Sequence, residues 1–397
     1  MDMSGTGPEN KIELLVEGWR GINHSYAMVN QFQLLELLKL NHLAVSHLDV
    51  PFAKPGWNSA QNNPGFPADA MRRIRDIPGA TRGHYDVVYR ISSPFSRSAT
   101  PAARHVTFMT SEFGLTPVNF LDRNVDIEFY CRERNIVVVP SNWSRMKLIE
   151  FGFPEDKVKV VSHGVAADVF FPSSHAERLA LRQSIGIRPD DFVFLNLGAM
   201  TWNKGVDVLM LAFNEVRQRH SSAVLLLKDD PGLYGIGATT VINRMMAEGE
   251  LRMSDEVRLS IKLISDTLTM PQMRLLYGAA DSYISPYRAE GFNLPVIESI
   301  ACGTPVIVSR GGATDDFCDS DTARFIESRH VENATRGIEG KGYHLEPERA
   351  SMVACMEAAI AAFGGDRSEF DQGMRRLTTN LSWKKCTRDL VELFEPV

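Results

Sequence analysis

Residues 281–298 read DSYISPYRAEGFNLPVIE, and the fold can be read outward from this stretch. A strand ends near Pro286, a loop holds Glu290 and Gly291, and a helix begins near Leu294. Asn293 suits a helix N-cap and Pro295 suits the first helical turn. The free N–H groups of such a turn, at the positive end of the helix, form an anion site. Gly291 allows the backbone to approach a ligand with no Cβ in between. Glu298 is expected in the first turn, below the anion site, where a carboxylate can accept hydrogen bonds from two vicinal hydroxyls such as those of a ribose. Glu290 is expected above the helix end, where a sugar attached to the phosphate would lie. Two acids at this spacing mean little alone, since acids in a first turn also complement the helix dipole. Here the strand, loop and helix signals agree.

Outward from this unit, short apolar runs alternate with helical patterns, which predicts parallel sheets with crossover helices. Strands are expected at 12–16, 42–50, 85–91, 105–109, 136–140 and 158–162. After Pro172 the cycle restarts, at 192–197, 223–227, 260–264, 282–285 and 305–309. At 397 residues the chain is too long for one ordinary core. We expect an α/β architecture of two Rossmann-like domains, 1–172 and 173–380, with residues 381–397 as a closing helix that begins at Leu381-Ser382-Trp383. The Pro-, Gly- and Asn-rich stretch 51–81 reads as a long loop, and such loops in compact domains are usually functional.

Bulk composition narrows the function. Hydrophobic residues make up 44% and charged residues 23%, as in a folded globular protein. Net charge is −6; residues 1–172 hold 18 basic and 18 acidic side chains, so the deficit falls on the remainder, with 25 and 31. This argues against nucleic acid as a partner, and membrane contact rests at most on a local patch such as Arg72, Arg73 and Arg75. Five scattered cysteines without a CxxC pair read as free thiols in a reducing compartment. The N-terminus is polar, and no apolar run approaches the ~20 residues that span a bilayer. A cytoplasmic protein, at most peripheral on the inner membrane face, is the expectation.

The 281–298 segment resembles the Glu-x7-Glu motif of retaining GT-B glycosyltransferases, especially the large family 4. The continuation ACGTPVIVSRGG, 301–312, resembles that family too. The resemblance is clearest over 134–312. It implies a GT-B fold, two Rossmann-like domains facing each other across a donor-binding cleft, with Glu298 on the ribose and Glu290 on the transferred hexose. The backbone from Gly291 through Phe292, Asn293 and Leu294 would contact the donor. The loop GAMTWNKG, 198–205, resembles the family's phosphate loop, with Gly198 and Lys204 in place; Ala199 stands where the family usually has an Arg, and Arg288 is the candidate substitute. A lysine there can neutralise a departing diphosphate.

The family's strand ending in His-Gly-Val matches His163-Gly164-Val165, which makes His163 a catalytic candidate beside Glu290 and Lys204, and lets Gly164 approach the donor sugar. In the loop 18–25, Gly21, Asn23 and His24 are the acceptor-side candidates. Many members place a His at the end of the fourth strand. By register Met109 takes that position here, leaving Thr110, Ser111 or Glu112 to contact a sugar hydroxyl. Ser141 is expected to cap a helix, and Ser141 and Asn142 to be mainly structural. Asp319-Ser-Asp321 spells a metal-binding DxD by chance, and Gly232 to Gly237 has the wrong order for a dinucleotide fingerprint.

The resemblance implies transfer of a hexosyl group, with retention, from a UDP- or GDP-linked sugar to a glycan, lipid-linked or small-molecule hydroxyl. No metal and no other cofactor is expected. The competing readings are a nucleotide-sugar hydrolase or epimerase on the same scaffold and an inactive nucleotide-sugar-binding protein.

Overall fold

The computed structural model describes residues 11–59, 65–123, 125–339 and 341–395. The first half forms strands β1 (Ile12–Gly18), β2 (Leu43–Asp49), β3 (Tyr85–Ile91), β4 (Ala102–Phe108), β5 (Ile136–Val139) and β6 (Val158–Val160). The second half forms β7 (Phe192–Leu197), β8 (Ala223–Lys228), β9 (Ile261–Ile264), β10 (Ser282–Ser285), β11 (Val306–Ser309) and β12 (Ala323–Ile326). The first sheet runs β2-β1-β3-β4-β5-β6 and the second β12-β11-β10-β7-β8-β9. Every pairing in both is parallel. Parallel strands need crossover helices on both faces, which is why the strands read as apolar runs, as in the fully buried AVLLL of β8. Two facing six-stranded Rossmann-like sheets define the GT-B fold.

Ligands of such sheets lie beyond the carboxyl ends of the strands where the order reverses. In the second sheet that point lies between β7 and β10, the strands that precede the 198–205 and 286–293 loops. These loops are in contact: Arg288 N donates to Asn203 O at 2.7 Å. Gly205 adopts φ +69°, and a Cβ there would lie 1.9 Å from Pro286 O.

Several elements depart from the expectations. β4 begins at Ala102 and ends at Phe108, so Met109 turns into the core beside Phe95 and Leu115 instead of facing the cleft. The 51–81 stretch contains a helix, Ala68–Arg75. Before it, Lys54 Nζ and Trp57 Nε1 both donate to Leu233 O, at 3.5 and 3.4 Å, across the two halves. An antiparallel hairpin of β13 (Ser328–Glu332) and β14 (Tyr343–Pro347) follows the second sheet unannounced, because its mostly exposed first strand offers little apolar alternation. The last helix, Trp383–Glu392, packs on the helix Ser25–Leu37: the Trp383 ring stacks on Phe32 at 4.9 Å. Among the described residues no helix is long and apolar enough to cross a membrane.

Candidate active site

A cleft of about 710 Å³ separates the two sheets at their carboxyl ends and is lined from both. On the second sheet's side, the helix Leu294–Ala301 points its N-terminus into the cleft region. Asn293 stands at its N-cap position but does not cap it. Its backbone is left-handed, φ +79°, and its Nδ2 donates to Ser285 Oγ at 2.9 Å, so no side chain takes the first helical amides. An uncapped helix start with Gly291 before it is an open anion site. Gly291 also lies under the opposite wall, where an added Cβ would come within 2.1 Å of Thr110 Oγ1.

Glu298 lies in the second turn of this helix, not the first as expected, because counted from Leu294 it is the fifth helical residue and a turn holds about 3.6. Its Oε2 accepts from Tyr277 Oη at 2.7 Å. Burial raises its carboxyl to about 7, with the tyrosine bond pulling the other way. One oxygen is thereby anchored and the group still borders the cleft. Tyr277 was not singled out in the sequence, since nothing local links it to a residue 21 positions on.

Glu290 and Lys204 form an ion pair at 2.5 Å. Burial disfavours the ammonium, but Glu290 and Glu112 outweigh it and hold Lys204 above the ordinary lysine range. Glu112 reaches this group from the first sheet's side. Its Oε2 accepts from Asn203 Nδ2 at 2.8 Å. Burial raises its carboxyl to about 7; Lys204 draws it down and Glu290 pushes it up. Of the three candidates after β4, Thr110 bonds Ser144 Oγ at 3.0 Å and Ser111 Oγ accepts the Gly114 amide at 3.0 Å. Glu112 is therefore the one whose acid group joins the charged cluster.

The rest of the first wall sets a group of rings among small polar and aliphatic side chains. His24 caps the helix Ser25–Leu37, its Nδ1 accepting from Tyr26 N at 3.4 Å, and its ring lies 4.9 Å from Trp57. Burial and Lys54 lower it to about 4. Tyr26 meets Phe108, and Phe108 meets His163, each at 5.5 Å. His163 also packs edge-on against Phe292 at 4.9 Å. Burial drives its pKa down to about 3, so the ring is neutral near pH 7. Asn23, His24, His163, Gly198, Phe292, Asn293 and Leu294 all border the cleft.

Three sequence candidates serve elsewhere. Arg288 is 2% exposed, ion-paired to Asp207 at 2.7 Å and to Glu346 at 2.9 Å, and seated over the Trp202 ring. It is committed to joining β14 to the loop 198–205 and does not substitute for the base missing at Ala199. Gly164 packs under the chain end, where a Cβ would lie 2.4 Å from Trp383 N. The Gly21 amide donates to Gln31 Oε1 at 2.9 Å, inside the loop rather than toward the cleft. Ser141 caps its helix, accepting from Ser144 N, and donates to Gly291 O at 2.6 Å; the Asn142 amide donates to Asp316 Oδ2 at 2.7 Å. Both residues thus tie the two halves together. Asp319 and Asp321 are ion-paired with Arg376.

Residues 177–341 match the family described as glycosyl transferases group 1. An uncharacterized glycosyltransferase of Methanocaldococcus jannaschii is 30% identical over 262 residues, 62% of this chain and 55% of that protein. The chain spans about half the length of the curated relatives it matches. Over the whole chain, a glycosyltransferase of Rickettsia africae superposes with TM-score 0.68 at 16% identity, covering 97% of this chain and 98% of that one. HepE of Anabaena in complex with UDP-glucose superposes with TM-score 0.65 at 12% identity, covering 96% and 98%. At these identities the likeness concerns the fold.

Proposed function

We propose that this chain is a glycosyltransferase that moves a hexosyl group from a nucleoside-diphosphate sugar to an acceptor hydroxyl, with retention at the anomeric carbon, as in family 4. The observation that carries this reading is the juxtaposition, on one cleft wall, of an uncapped helix start, the Lys204–Glu290 pair and the tyrosine-anchored Glu298. The helix amides and Lys204 suit a diphosphate, Glu298 suits the ribose diol, and Glu290 suits hydroxyls of the hexose. The binding of UDP-glucose by a protein of the same fold supports a nucleotide-sugar donor.

In this reading the bond from the anomeric carbon to the diphosphate oxygen breaks while one to the acceptor oxygen forms on the same face. The acceptor proton passes to the leaving phosphate. Lys204 and the helix start offset the charge that develops there. Glu112 approaches from the facing wall and accepts from a sugar hydroxyl. The ring cluster on the first wall helps to exclude water, which favours transfer over hydrolysis.

A thermal-shift panel of UDP, GDP, ADP and their sugar conjugates tests the donor assignment. One nucleotude class should raise the melting temperature by mass action, and Glu298→Ala should weaken that shift. The absence of any shift in the wild type would overturn it. With the donor known, the anomeric configuration of the product, read by NMR, decides retention, and sugar released without acceptor measures hydrolysis.

A further inference from the structure

Two lysines border the cleft among the described residues, and they differ in one respect. Lys204 is balanced by Glu290. Lys228, the last residue of β8, is 7% exposed and has no ion pair among the described residues. Its Nζ donates once, to the backbone carbonyl of Asp229 at 2.5 Å, which leaves N–H donors to spare. Burial disfavours its charge and outweighs Asp230, Asp229 and Asp266, which favour it. Two of these carboxylates have one oxygen engaged elsewhere, Asp229 Oδ2 by the Ala238 amide at 2.6 Å and Asp230 Oδ1 by the Leu233 amide at 3.0 Å, while Asp229 Oδ1 is buried without a partner. A buried ammonium that these carboxylates influence but none pairs with directly is costly to keep, and an anionic ligand lowers the cost.

Its position says which anion. Lys228 is in register with Leu197 on β7, and the Gly198 amide donates to its carbonyl at 3.0 Å. The lysine therefore springs from the strand beside the root of the 198–205 loop. In that loop Ala199 contributes only a methyl, and Arg288 is spent on Asp207 and Glu346. We infer that Lys228 is a charge partner of the donor diphosphate, supplied from β8 where the neighbouring loop carries alanine. This rests on the nucleotide-sugar reading above.

The test titrates UDP, GDP, uridine, guanosine and glucose 6-phosphate into the wild type, Lys228→Met and Lys228→Gln. Both variants should lose about 10- to 100-fold in affinity for the nucleoside diphosphate, the worth of a charged hydrogen bond. Affinity for the nucleoside should stay within about twofold, since the base and ribose contacts remain. The ligand-free melting temperature of Lys228→Met should be equal or higher, which a merely structural lysine would not allow. Should Lys228→Met not fold, Lys228→Gln, which can still donate to Asp229 O, is read by the same criteria. Diphosphate affinity within about twofold of wild type in a folded variant, an equal loss for the nucleoside, or a loss confined to glucose 6-phosphate would overturn the inference. A wild type that binds neither UDP nor GDP would instead overturn the donor assignment on which it rests.

Discussion

The two walls of the cleft solve different problems. The second sheet's wall is built of charge held in check: Lys204 against Glu290, Glu298 against Tyr277, and a helix start left without a cap. The first sheet's wall carries a cluster of rings, His24, Tyr26, Phe108 and His163, among small polar and aliphatic side chains, with Glu112 as its acidic member in the charged cluster. Charge recognition relies on backbone geometry, which a strand–loop–helix unit dictates within about 20 residues of sequence. A ring wall relies on side chains gathered from distant positions, so it can vary while the fold stays the same. In the proposed reading, phosphate and ribose fall to one wall and acceptor and water exclusion to the other.

The sharpest way to break this contrast is through backbone. Gly205→Ala should cost on the order of 4 kcal/mol, because its Cβ would meet a backbone carbonyl in a left-handed conformation. Gly21→Ala, in the loop behind the ring wall, meets only the end of the Ser59 side chain. It should cost about 1–2 kcal/mol, the left-handed penalty. Urea unfolding of the two variants measures the gap, and equal losses would contradict the asymmetry.

Charge comes next. Glu290→Gln should lower kcat by about 10²- to 10³-fold while nucleotide affinity changes little, because the proposed reading gives it the transferred sugar. Glu298→Ala should do the reverse, weakening the nucleotide by about 10- to 100-fold. Steady-state kinetics beside calorimetric titration separates the two, and a shared pattern would merge the sugar and ribose roles.

A smaller effect is expected from pH. Glu298 and Glu112 stand near 7 in the folded protein against an ordinary 4.5. Groups raised in this way favour the folded state when protonated. Their contribution is fully present below about pH 4.5 and is lost as pH rises through about 7. Ribose hydroxyls donating to Glu298 favour its carboxylate, so binding releases protons. Nucleotide affinity should therefore rise from pH 6 to 8, by up to about tenfold for each unit the pKa falls on binding. Glu298→Gln should flatten that slope. The smallest effect belongs to the ring wall: His163→Asn should leave the pH midpoint of kcat/KM unmoved, since a group with pKa about 3 has no proton to exchange near neutrality. A shifted midpoint would return His163 to the acid–base chemistry.

Legibility followed the same division. The eleven expected strands are all present, because buried parallel strands must be apolar along their length. The 281–298 unit put Glu290, Gly291 and Asn293 in the cleft because their spacing is local. Arg288 sits in the same stretch yet was misread. Its carboxylate partner Glu346 comes from a hairpin with little apolar alternation, and the other, Asp207, lies 81 residues back. Met109 was misjudged through a single residue of strand end, and with period-two alternation one step exchanges cleft for core. Lys228 carried a faint signal, a lysine closing an otherwise apolar strand, but its lack of a carboxylate partner could be seen only in the folded chain.

What the sequence determined by itself is the repeated strand–helix cycle and the glycines, acids and helix start of the 281–298 turn, all matters of apolar periodicity and local backbone preference. Only the tertiary structure decided which charges are balanced and which are left for a ligand. Pairing depends on distances between residues far apart in the chain, such as Lys204 with Glu290, Glu112 with Asn203, and Arg288 with Glu346. No local pattern encodes those distances.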